Sequence, residues 1–306
     1  MNPARVTVCV PVCNGARFVG ETLAALAAQT CDRLAVVVSD DDSADGSAGV
    51  CARFASDPRF RVTRQPVRLG WVAHCNRLLA GVTTEFACIV SHDDLPAPDF
   101  IARLVDALDR RPAAALAFSD IRVFGLLDKI EHQPSIDGVT AAERTRAFMA
   151  THYDGTAFHA LIRRSALDVS GGLAPNDRDH FAADVAWLGR LTRAGSFVRV
   201  AEPLYAKRRH AASASMQWGR WSTDALADAW AMHCRELLAD ALAGEVSPGD
   251  TRCLSQAAVR RLLAIEPELP FAFIGGYPPA RQDALVRALL DGLPTVAPES
   301  FASPPR

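Results

Sequence analysis

Residues 5–12 read RVTVCVPV, residues 34–46 read LAVVVSDDDSADG, and residues 86–94 read FACIVSHDD. Each stretch starts with a run of apolar, often β-branched residues, which is typical of a strand buried on both faces of a sheet. The first run is broken by Asn14 and Gly15, and the other two lead into aspartates. The three stretches therefore predict buried strands that end in polar loops.

Helical patterns separate these strands along the first 120 residues. We predict helices at 18–29, 47–54, 70–80 and 99–108, and further strands at 60–63 and 114–118. Alternation of strands and helices predicts an α/β fold with a mainly parallel sheet and helices on both faces. Ligands bind beyond the carboxyl ends of the strands in such sheets, and both acidic clusters fall there.

The alternation loosens after residue 120. We expect a loop at 128–139, a strand at 155–163, a helix at 181–194, a polar and basic segment at 204–215, and amphipathic helices at 222–244 and 250–265. The last residues contain several prolines and are expected to form a frayed tail.

Composition narrows the class of protein. The chain has 306 residues, 49% of them hydrophobic and 22% charged, with a net charge of −2. These values exclude a disordered chain and give no basic excess for nucleic-acid binding. We interpret the eight cysteines as reduced and mostly buried. No leader pattern and no apolar run of about 18 residues is evident, so we expect a cytoplasmic protein.

The pair Asp93-Asp94 is the strongest local signal for chemistry. Adjacent carboxylates repel each other and usually need a cation or hydrogen-bond donors nearby. Their hard oxygen atoms suit Mg²⁺ or Mn²⁺. The alternative is that Asp94 only caps the following helix. Asp40-Asp41 could equally be a solvated acidic turn, but it stands at an equivalent strand end.

Two later features carry weaker signals. Asp184 lies in a mostly apolar helical stretch and could serve as a general base, or it could simply pair with Arg190 or Arg193. The run from Lys207 to His210 could hold a diphosphate or a metal ion, or it could be a solvated basic loop.

Six segments together resemble family 2 glycosyltransferases with the GT-A fold. VTVCVPVCNGARFVGETLAALAAQT resembles their opening strand and helix, VVVSDDDSADGS their second-strand motif, and LGWVAHCNRLLAGVTTEFACIVSHDD the stretch leading to their DxD-type metal motif. GTAFHALIRRSALDVSGGL, AADVAWLGRL and RRHAASAS resemble their acceptor-side segments. The segments occur in the family's order over about residues 5–215.

The resemblance implies a role for each matching position. The nucleotide-sugar donor would contact the first loop, the second-strand acids, a nearby arginine, the ribose-side acid and the basic run, that is Pro11, Asn14, Asp40, Asp41, Arg68, Asp93, Arg208 and Arg209. Asp94 and His210 would hold Mg²⁺ or Mn²⁺, and Asp184 would be the catalytic base.

Two positions depart from the family pattern. Ser91 stands where the family's Asp-x-Asp-Asp motif has its first acid, and Ala183 stands where a glutamate usually precedes the base. The second departure leaves Asp177 and Asp179 as alternatives to Asp184.

The resemblance implies a metal-dependent, inverting glycosyltransferase of the hexosyl or deoxyhexosyl class. Residues 1–125 would form the nucleotide-sugar-binding half, 126–215 the acceptor-side half, and 216–306 a helical C-terminal extension. The donor would be UDP-, dTDP- or GDP-linked, and the acceptor a glycan or lipid-linked glycan in glycan or surface polysaccharide synthesis. Two alternatives are a nucleotide-sugar-binding module without catalysis and a nucleotidyltransferase.

The C-terminal extension lies outside the resemblance, and three hypotheses are open for it. Its helices could pack back onto the catalytic domain, form a homodimer interface, or dock at the inner face of the cell membrane.

Overall fold

A computed structural model describes residues 3–211, 213, 218, 220–265 and 273–294. The expected tail beyond residue 294 and residues 212, 214 and 215 of the polar and basic segment at 204–215 lie outside the described residues.

The N-terminal half forms the parallel sheet that the sequence predicts. Strands β1 to β4 are parallel to their neighbours in the order β3-β2-β1-β4, with Val8 opposite both Val36 and Cys88. Alternate valines of β1 are fully buried because helices cover both faces of the sheet. The elements are β1 (Val6–Val12), α1 (Val19–Ala27), β2 (Leu34–Asp40), α2 (Ser47–Ala52), β3 (Phe60–Arg64), α3 (Trp71–Ala80) and β4 (Phe86–Ile89).

The second half continues the same sheet with mixed strand directions. The order runs on as β4-β8-β6-β9-β5; β8 is antiparallel to both of its neighbours, β6 and β9 are parallel, and β7 pairs with β6. The mainly parallel character therefore belongs to the first half. The strands are β5 (Leu95–Pro96), β6 (Ala114–Gly125), β7 (Lys129–Glu131), β8 (Leu161–Arg163) and β9 (Ser196–Arg209).

Two local predictions for this half differ from the structure. The predicted loop at 128–139 contains β7, and the predicted strand at 155–163 is a 3₁₀ turn followed by the short β8, so only its end is a strand. The polar and basic segment from residue 204 continues β9 to residue 209, which contradicts the alternative of a solvated basic loop for Lys207, Arg208 and Arg209. The strand was not predicted because β9 lacks the regular alternation of buried and exposed residues, and hence of apolar and polar ones, that marks a strand in a sequence.

The remaining helices cover the second half of the sheet. They are α4 (Phe100–Arg110), α5 (Ala141–Thr151), α6 (Arg164–Ser170), α7 (Ala183–Leu191), α8 (Thr223–Ala241), α9 (Pro248–Leu262) and α10 (Pro279–Leu290). The predicted helices at 181–194, 222–244 and 250–265 are confirmed as α7, α8 and α9, whereas α5, α6 and α10 were not predicted.

The C-terminal helices share a core with helices of the second half of the sheet. Trp230 and Leu237 of α8 are buried in the same cluster as Trp187 of α7. A Cβ added at Gly189 would lie 2.5 Å from the Leu237 side chain, so the two helices approach closely. This packing agrees with the first hypothesis for the extension. Among the described residues, no helix is long and apolar enough to cross a membrane.

Candidate active site

Asp40, the last residue of β2, carries an oxygen atom that lacks a partner. Its side chain is 1% exposed. Oδ2 accepts a hydrogen bond from the Ser43 amide at 3.1 Å and lies 3.6 Å from Nε of Arg64. Oδ1 is buried and accepts no hydrogen bond from the described residues. An unsatisfied buried acceptor is costly, so this atom fits a ligand that brings an N–H or O–H donor.

Asp41, the next residue, is committed to the protein. It is also 1% exposed, and its two carboxylate oxygens accept the backbone amides of Leu69 (2.8 Å) and Gly70 (2.9 Å). These amides immediately precede α3. Asp41 therefore fixes the loop that leads into α3. Asp41 lies at the predicted site, but both of its carboxylate oxygens accept hydrogen bonds from the backbone of that loop.

The loop after β1 lies against the acidic turn. The amide of Asn14 donates to Oγ of Ser43 at 2.8 Å, and its side-chain oxygen accepts the Ala44 amide at 3.1 Å. Asn14 has a φ of 49°, in a left-handed conformation that Asn tolerates better than most residues. The carbonyl oxygen of Pro11 lies 3.3 Å from Nδ1 of His92. Pro11 and Asn14 thus line the same sheet edge as Asp40.

Arg68 lies at the exposed outer side of this edge. It is exposed to solvent. Burial raises the pKa of the Cys13 thiol, and the positive charge of Arg68 acts in the opposite direction, so the two groups are near each other. Arg68 is therefore close to the loop after β1, where a nucleotide phosphate or base would be within its reach.

Asp94 is held on both sides by β9. Oδ2 accepts a hydrogen bond from the Tyr205 hydroxyl at 2.9 Å, and Oδ1 accepts the Arg208 amide at 2.8 Å. The side chain is 2% exposed. Burial, followed by the charge of Asp93, raises the pKa of Asp94 to about 7. Asp94 therefore does not cap the following helix. Both of its carboxylate oxygens accept hydrogen bonds from β9, which leaves them poorly available to a metal ion.

Asp93, unlike Asp94, has a partly exposed side chain. Its Oδ2 lies 2.9 Å from Nε2 of His210, and its carbonyl oxygen accepts Nε of Arg208 at 2.9 Å. Its side chain is 17% exposed, and Oδ1 accepts no hydrogen bond from the described residues. The structure thus brings His210 together with Asp93 rather than with Asp94.

A carboxylate oxygen and an imidazole nitrogen at this separation fit a divalent cation. Carboxylates suit Mg²⁺ and Mn²⁺, and imidazole is a common additional ligand for transition metals. Within the described part of the chain, no cluster of three or more metal-ligating side chains is present. Asp93 and His210 could therefore supply two ligands, with ligand phosphates and water supplying the rest.

Arg208 is engaged within the protein. Its guanidinium bonds to Glu21 at 2.6 Å and lies over the rings of Phe18 (4.6 Å) and Phe124 (4.7 Å). Arg209 is half-buried, and its carbonyl oxygen accepts the Leu126 amide at 3.0 Å. Both arginines line a cavity of about 330 Å³ together with His210 and Phe18. The cavity adjoins the Asp93–His210 pair, so Arg208 and Arg209 lie next to the predicted metal site.

Asp184 lies in the first turn of α7, with its carboxylate against Gly155. A Cβ added at Gly155 would lie 2.2 Å from its Oδ2, so a glycine is required for this close approach. Burial raises the pKa of Asp184, and the charge of Lys207 opposes that rise. A partly desolvated carboxylate with a raised pKa is suited to accept a proton near neutral pH.

The alternatives to Asp184 are placed elsewhere. Asp177 and Asp179 are exposed. Arg190 pairs with Asp240 at 2.9 Å, and Arg193 donates to a backbone carbonyl. Neither arginine forms the ion pair with Asp184 that the sequence analysis left open.

The backbone before α7 is strained. Asp179, His180 and Ala182 have φ values of 48°, 56° and 50°, a left-handed conformation that costs free energy for residues other than glycine. Such strain is concentrated at functional sites, and here it immediately precedes Asp184.

Two residues of the site escaped the sequence analysis. Tyr205 anchors Asp94, and the ring of His159 stacks on Tyr205 at 4.3 Å with Nε2 3.8 Å from Asp94. Tyr205 lies outside the segments that resemble the family, and nothing in the sequence singles out His159 within its segment.

Comparison with known proteins places this geometry in a family. Residues 7–171 match the sequence profile of "Glycosyl transferase family 2". The glycosyltransferase GlyG of Streptococcus pneumoniae is 27% identical over 109 residues, which is 35% of this chain and 36% of GlyG. The chain thus matches about a third of the length of this curated relative.

Solved structures share the fold over nearly the whole chain. The S. aureus TarS fragment 1–349 in complex with UDP-GlcNAc superposes with a TM-score of 0.68 at 17% identity, and the match covers 94% of this chain and 85% of that fragment. The mannosyltransferase PcManGT from Pyrobaculum calidifontis, in complex with GDP-Man and Mn²⁺, superposes with a TM-score of 0.57 at 20% identity, covering 97% and 77%.

Proposed function

The chain belongs to glycosyl transferase family 2, and from that premise we propose that it is a metal-dependent, inverting glycosyltransferase that uses a nucleotide-diphosphate sugar. One observation carries the proposal. The carboxyl ends of β2 and β4, which lie on either side of β1, place the unpaired Oδ1 of Asp40 and the Asp93–His210 pair at the same edge of the sheet. A nucleotide diphosphate requires a hydrogen-bond acceptor for its nucleobase. It also requires ligands for the metal ion that binds its phosphates.

The donor is proposed to be a UDP-, dTDP- or GDP-linked hexose or deoxyhexose. Uracil, thymine and guanine each carry a ring N–H that could donate to Oδ1 of Asp40. TarS binds UDP-GlcNAc and PcManGT binds GDP-Man, which supports a donor of the same class here. Pro11, Asn14 and Arg68 would line the nucleotide side.

We assign the metal site to Asp93 and His210, in place of Asp94 and His210. Both oxygens of Asp94 already accept hydrogen bonds, whereas Asp93 is partly exposed beside the imidazole. A bound Mg²⁺ or Mn²⁺ would offset the charge of the departing diphosphate. Arg209 and Arg208, next to the pair, would add to the positive potential around that group.

Asp184 is proposed to accept the proton of the acceptor hydroxyl. The hydroxyl oxygen attacks the anomeric carbon, its proton passes to Asp184, and the bond from that carbon to the diphosphate oxygen breaks with its electron pair. A single displacement of this kind inverts the anomeric centre. General-base assistance typically contributes 10²–10⁴-fold.

We propose a glycan or lipid-linked glycan acceptor, in glycan or surface polysaccharide synthesis, with the reaction in the cytoplasm at the inner face of the membrane. The C-terminal helices would contact the membrane or a second copy through faces turned away from α7.

The experiment is a donor screen with purified protein. UDP-, dTDP- and GDP-sugars are offered with Mn²⁺ or Mg²⁺, and released nucleotide diphosphate is measured. We expect metal-dependent release from one donor, lost in Asp93→Ala. Once an acceptor is found, Asp184→Asn should reduce turnover about 10²–10⁴-fold without weakening donor binding.

A catalytically inactive nucleotide-sugar-binding module is the second candidate. Ser91 and Ala183, which replace two acids of the family pattern, favour it. It predicts measurable nucleotide binding with no release from any donor and no effect of Asp184→Asn. Absence of nucleotide binding would contradict both functions.

A further inference from the structure

Trp71 is an exposed tryptophan at the edge of the sheet that carries the candidate site. It is 37% exposed, whereas the other four tryptophans are half-buried or buried. Trp71 is the first residue of α3 and follows Gly70, whose amide donates to Asp41 at 2.9 Å. The indole therefore lies near the end of β2. A single exposed apolar side chain is ordinary on a protein surface, so what matters is which residues it contacts.

The indole of Trp71 contacts the segment that leads to Asp184. Its ring centroid lies 6.1 Å from that of His180, and the two ring planes meet at 72°. α3 and this segment also meet at a second point, where the Asn76 side chain accepts the Leu173 amide (2.7 Å) and donates to the Leu173 carbonyl oxygen (2.8 Å). The two contacts fix Trp71 between the end of β2 and the turn that enters α7.

His180 presents a hydrogen-bond donor next to that indole. Its Nδ1 accepts the Asn176 amide at 3.2 Å, so the proton of the neutral imidazole is on Nε2. Within the described part of the chain, Nε2 makes no hydrogen bond. The carbonyl oxygen of His180 accepts the Ala183 amide at 3.2 Å, which places the ring one turn before Asp184. Its φ of 56° is a costly conformation that persists only where surrounding contacts hold it.

An aromatic face beside a hydrogen-bond donor is suited to a pyranose ring. One face of such a ring presents C–H groups, which pack on the electron-rich face of an indole, while the hydroxyls at its rim need polar partners. Nε2 of His180 supplies a donor, and the exposed carboxylate of Asp179 in the same turn supplies an acceptor. A nucleobase would also stack on an indole, but the contact with His180 sets Trp71 on the side of Asp184.

We propose that Trp71 and His180 form a platform for a pyranose ring between the nucleotide and the proposed base. The inference rests on the proposed function and goes beyond it by assigning residues that recognise the sugar. The ring belongs either to the donor sugar or to the acceptor glycan, since both meet next to Asp184. In either case the platform fixes the orientation of a reacting pyranose, which lowers the entropic cost of the displacement.

The first test compares the binding of nucleotide sugars with that of bare nucleotides by calorimetric titration. The probes are UDP-GlcNAc against UDP, and GDP-Man against GDP. Trp71→Ala should weaken binding of the nucleotide sugar about tenfold without weakening binding of the nucleotide, and Trp71→Phe should retain most of the affinity. An equal loss for the bare nucleotide would assign the indole to the nucleobase or to the loop before α3, and would overturn the proposal.

His180→Asn separates the side chain of His180 from its backbone. Asn tolerates the left-handed conformation, so the turn is kept while the imidazole donor is removed. The affinity for the sugar-bearing ligand should fall about 3–10-fold, and an unchanged affinity would overturn the pairing of the two rings. Val169→Ala is the control for loss of an exposed apolar side chain, because Val169 is 59% exposed on α6. It should change neither affinity.

Steady-state kinetics distinguish the two sources of the ring. With the donor and acceptor that the screen identifies, a raised KM for the donor in Trp71→Ala assigns the platform to the donor sugar. A KM for the acceptor raised about tenfold, with unchanged donor binding, assigns it to the acceptor glycan. If neither KM changes, the proposal is wrong.

A second measurement needs neither turnover nor nucleotide. Saturation-transfer NMR, with irradiation of the aromatic protons, is recorded with the methyl glycosides of glucose, N-acetylglucosamine and mannose. Saturation should reach the ring C–H groups of at least one glycoside in the wild type and not in Trp71→Ala. Its absence from the wild type with all three would overturn the inference, while nucleotide release by the same protein would still support the proposed function. Sugar contact without nucleotide binding would retain the platform and contradict that function.

Discussion

The ends of β2 and β4 look alike in sequence, yet each divides its two aspartates between different tasks. At the end of β2, Asp41 binds two backbone amides while Asp40 keeps a free oxygen. After β4, Asp94 binds a hydroxyl and an amide while Asp93 is partly exposed beside His210. In both pairs the first carboxylate keeps one oxygen without a hydrogen bond from the described residues, and the second uses both oxygens to hold the protein together. Two adjacent negative charges are tolerated because the second always has donors of its own.

The largest expected effect tests this division after β4. Asp93→Asn should lower metal-dependent turnover by at least about 10³-fold, since it removes a charged ligand from the proposed metal pair. Asp94→Asn should retain turnover within about tenfold, because the amide can still accept from Arg208 and donate to Tyr205. Nucleotide release and Mn²⁺ binding by electron paramagnetic resonance report both variants. Equal loss in the two variants would contradict the division.

The same comparison at the end of β2 predicts effects on different quantities. Asp41→Asn loses charged acceptors for two amides, each worth roughly 1.5–3 kcal/mol, and should lower the free energy of unfolding by about 3 kcal/mol. Asp40→Asn should instead weaken nucleotide binding about 10–100-fold while changing stability little. Urea denaturation and calorimetric titration with UDP, dTDP and GDP separate the outcomes. A loss of stability in Asp40→Asn alone would reverse the assignment.

A further expected effect concerns the pH dependence of stability. The pKa of Asp94 is raised to about 7, so the folded protein holds this proton more tightly than the unfolded chain does. The resulting stabilisation is present below about pH 4 and is lost as pH rises through 7. Relative to Asp94→Asn, the wild type should lose roughly 4 kcal/mol of unfolding free energy across that range. Parallel stability curves for the two proteins would show that burial does not raise this pKa.

Much of the N-terminal half was predictable because its signals are local. Strands β1 to β4 are continuous apolar runs, and their separating helices and turns have regular spacing. The second half of the sheet was harder to predict. β8 has three residues, β7 lies in an exposed hairpin, and β9 ends in three basic residues, so none shows a clear strand period.

The sequence by itself therefore determined an α/β fold, the strand ends at which the acids lie, and, through ordered motifs, the family. The sequence could not show which carboxylate of each pair is fully hydrogen-bonded to the protein. The partners of Asp41 are 28 and 29 residues away, and those of Asp94 are 111 and 114 residues away. Hydrogen bonds over such separations depend on strand order and register, which only the tertiary structure fixes.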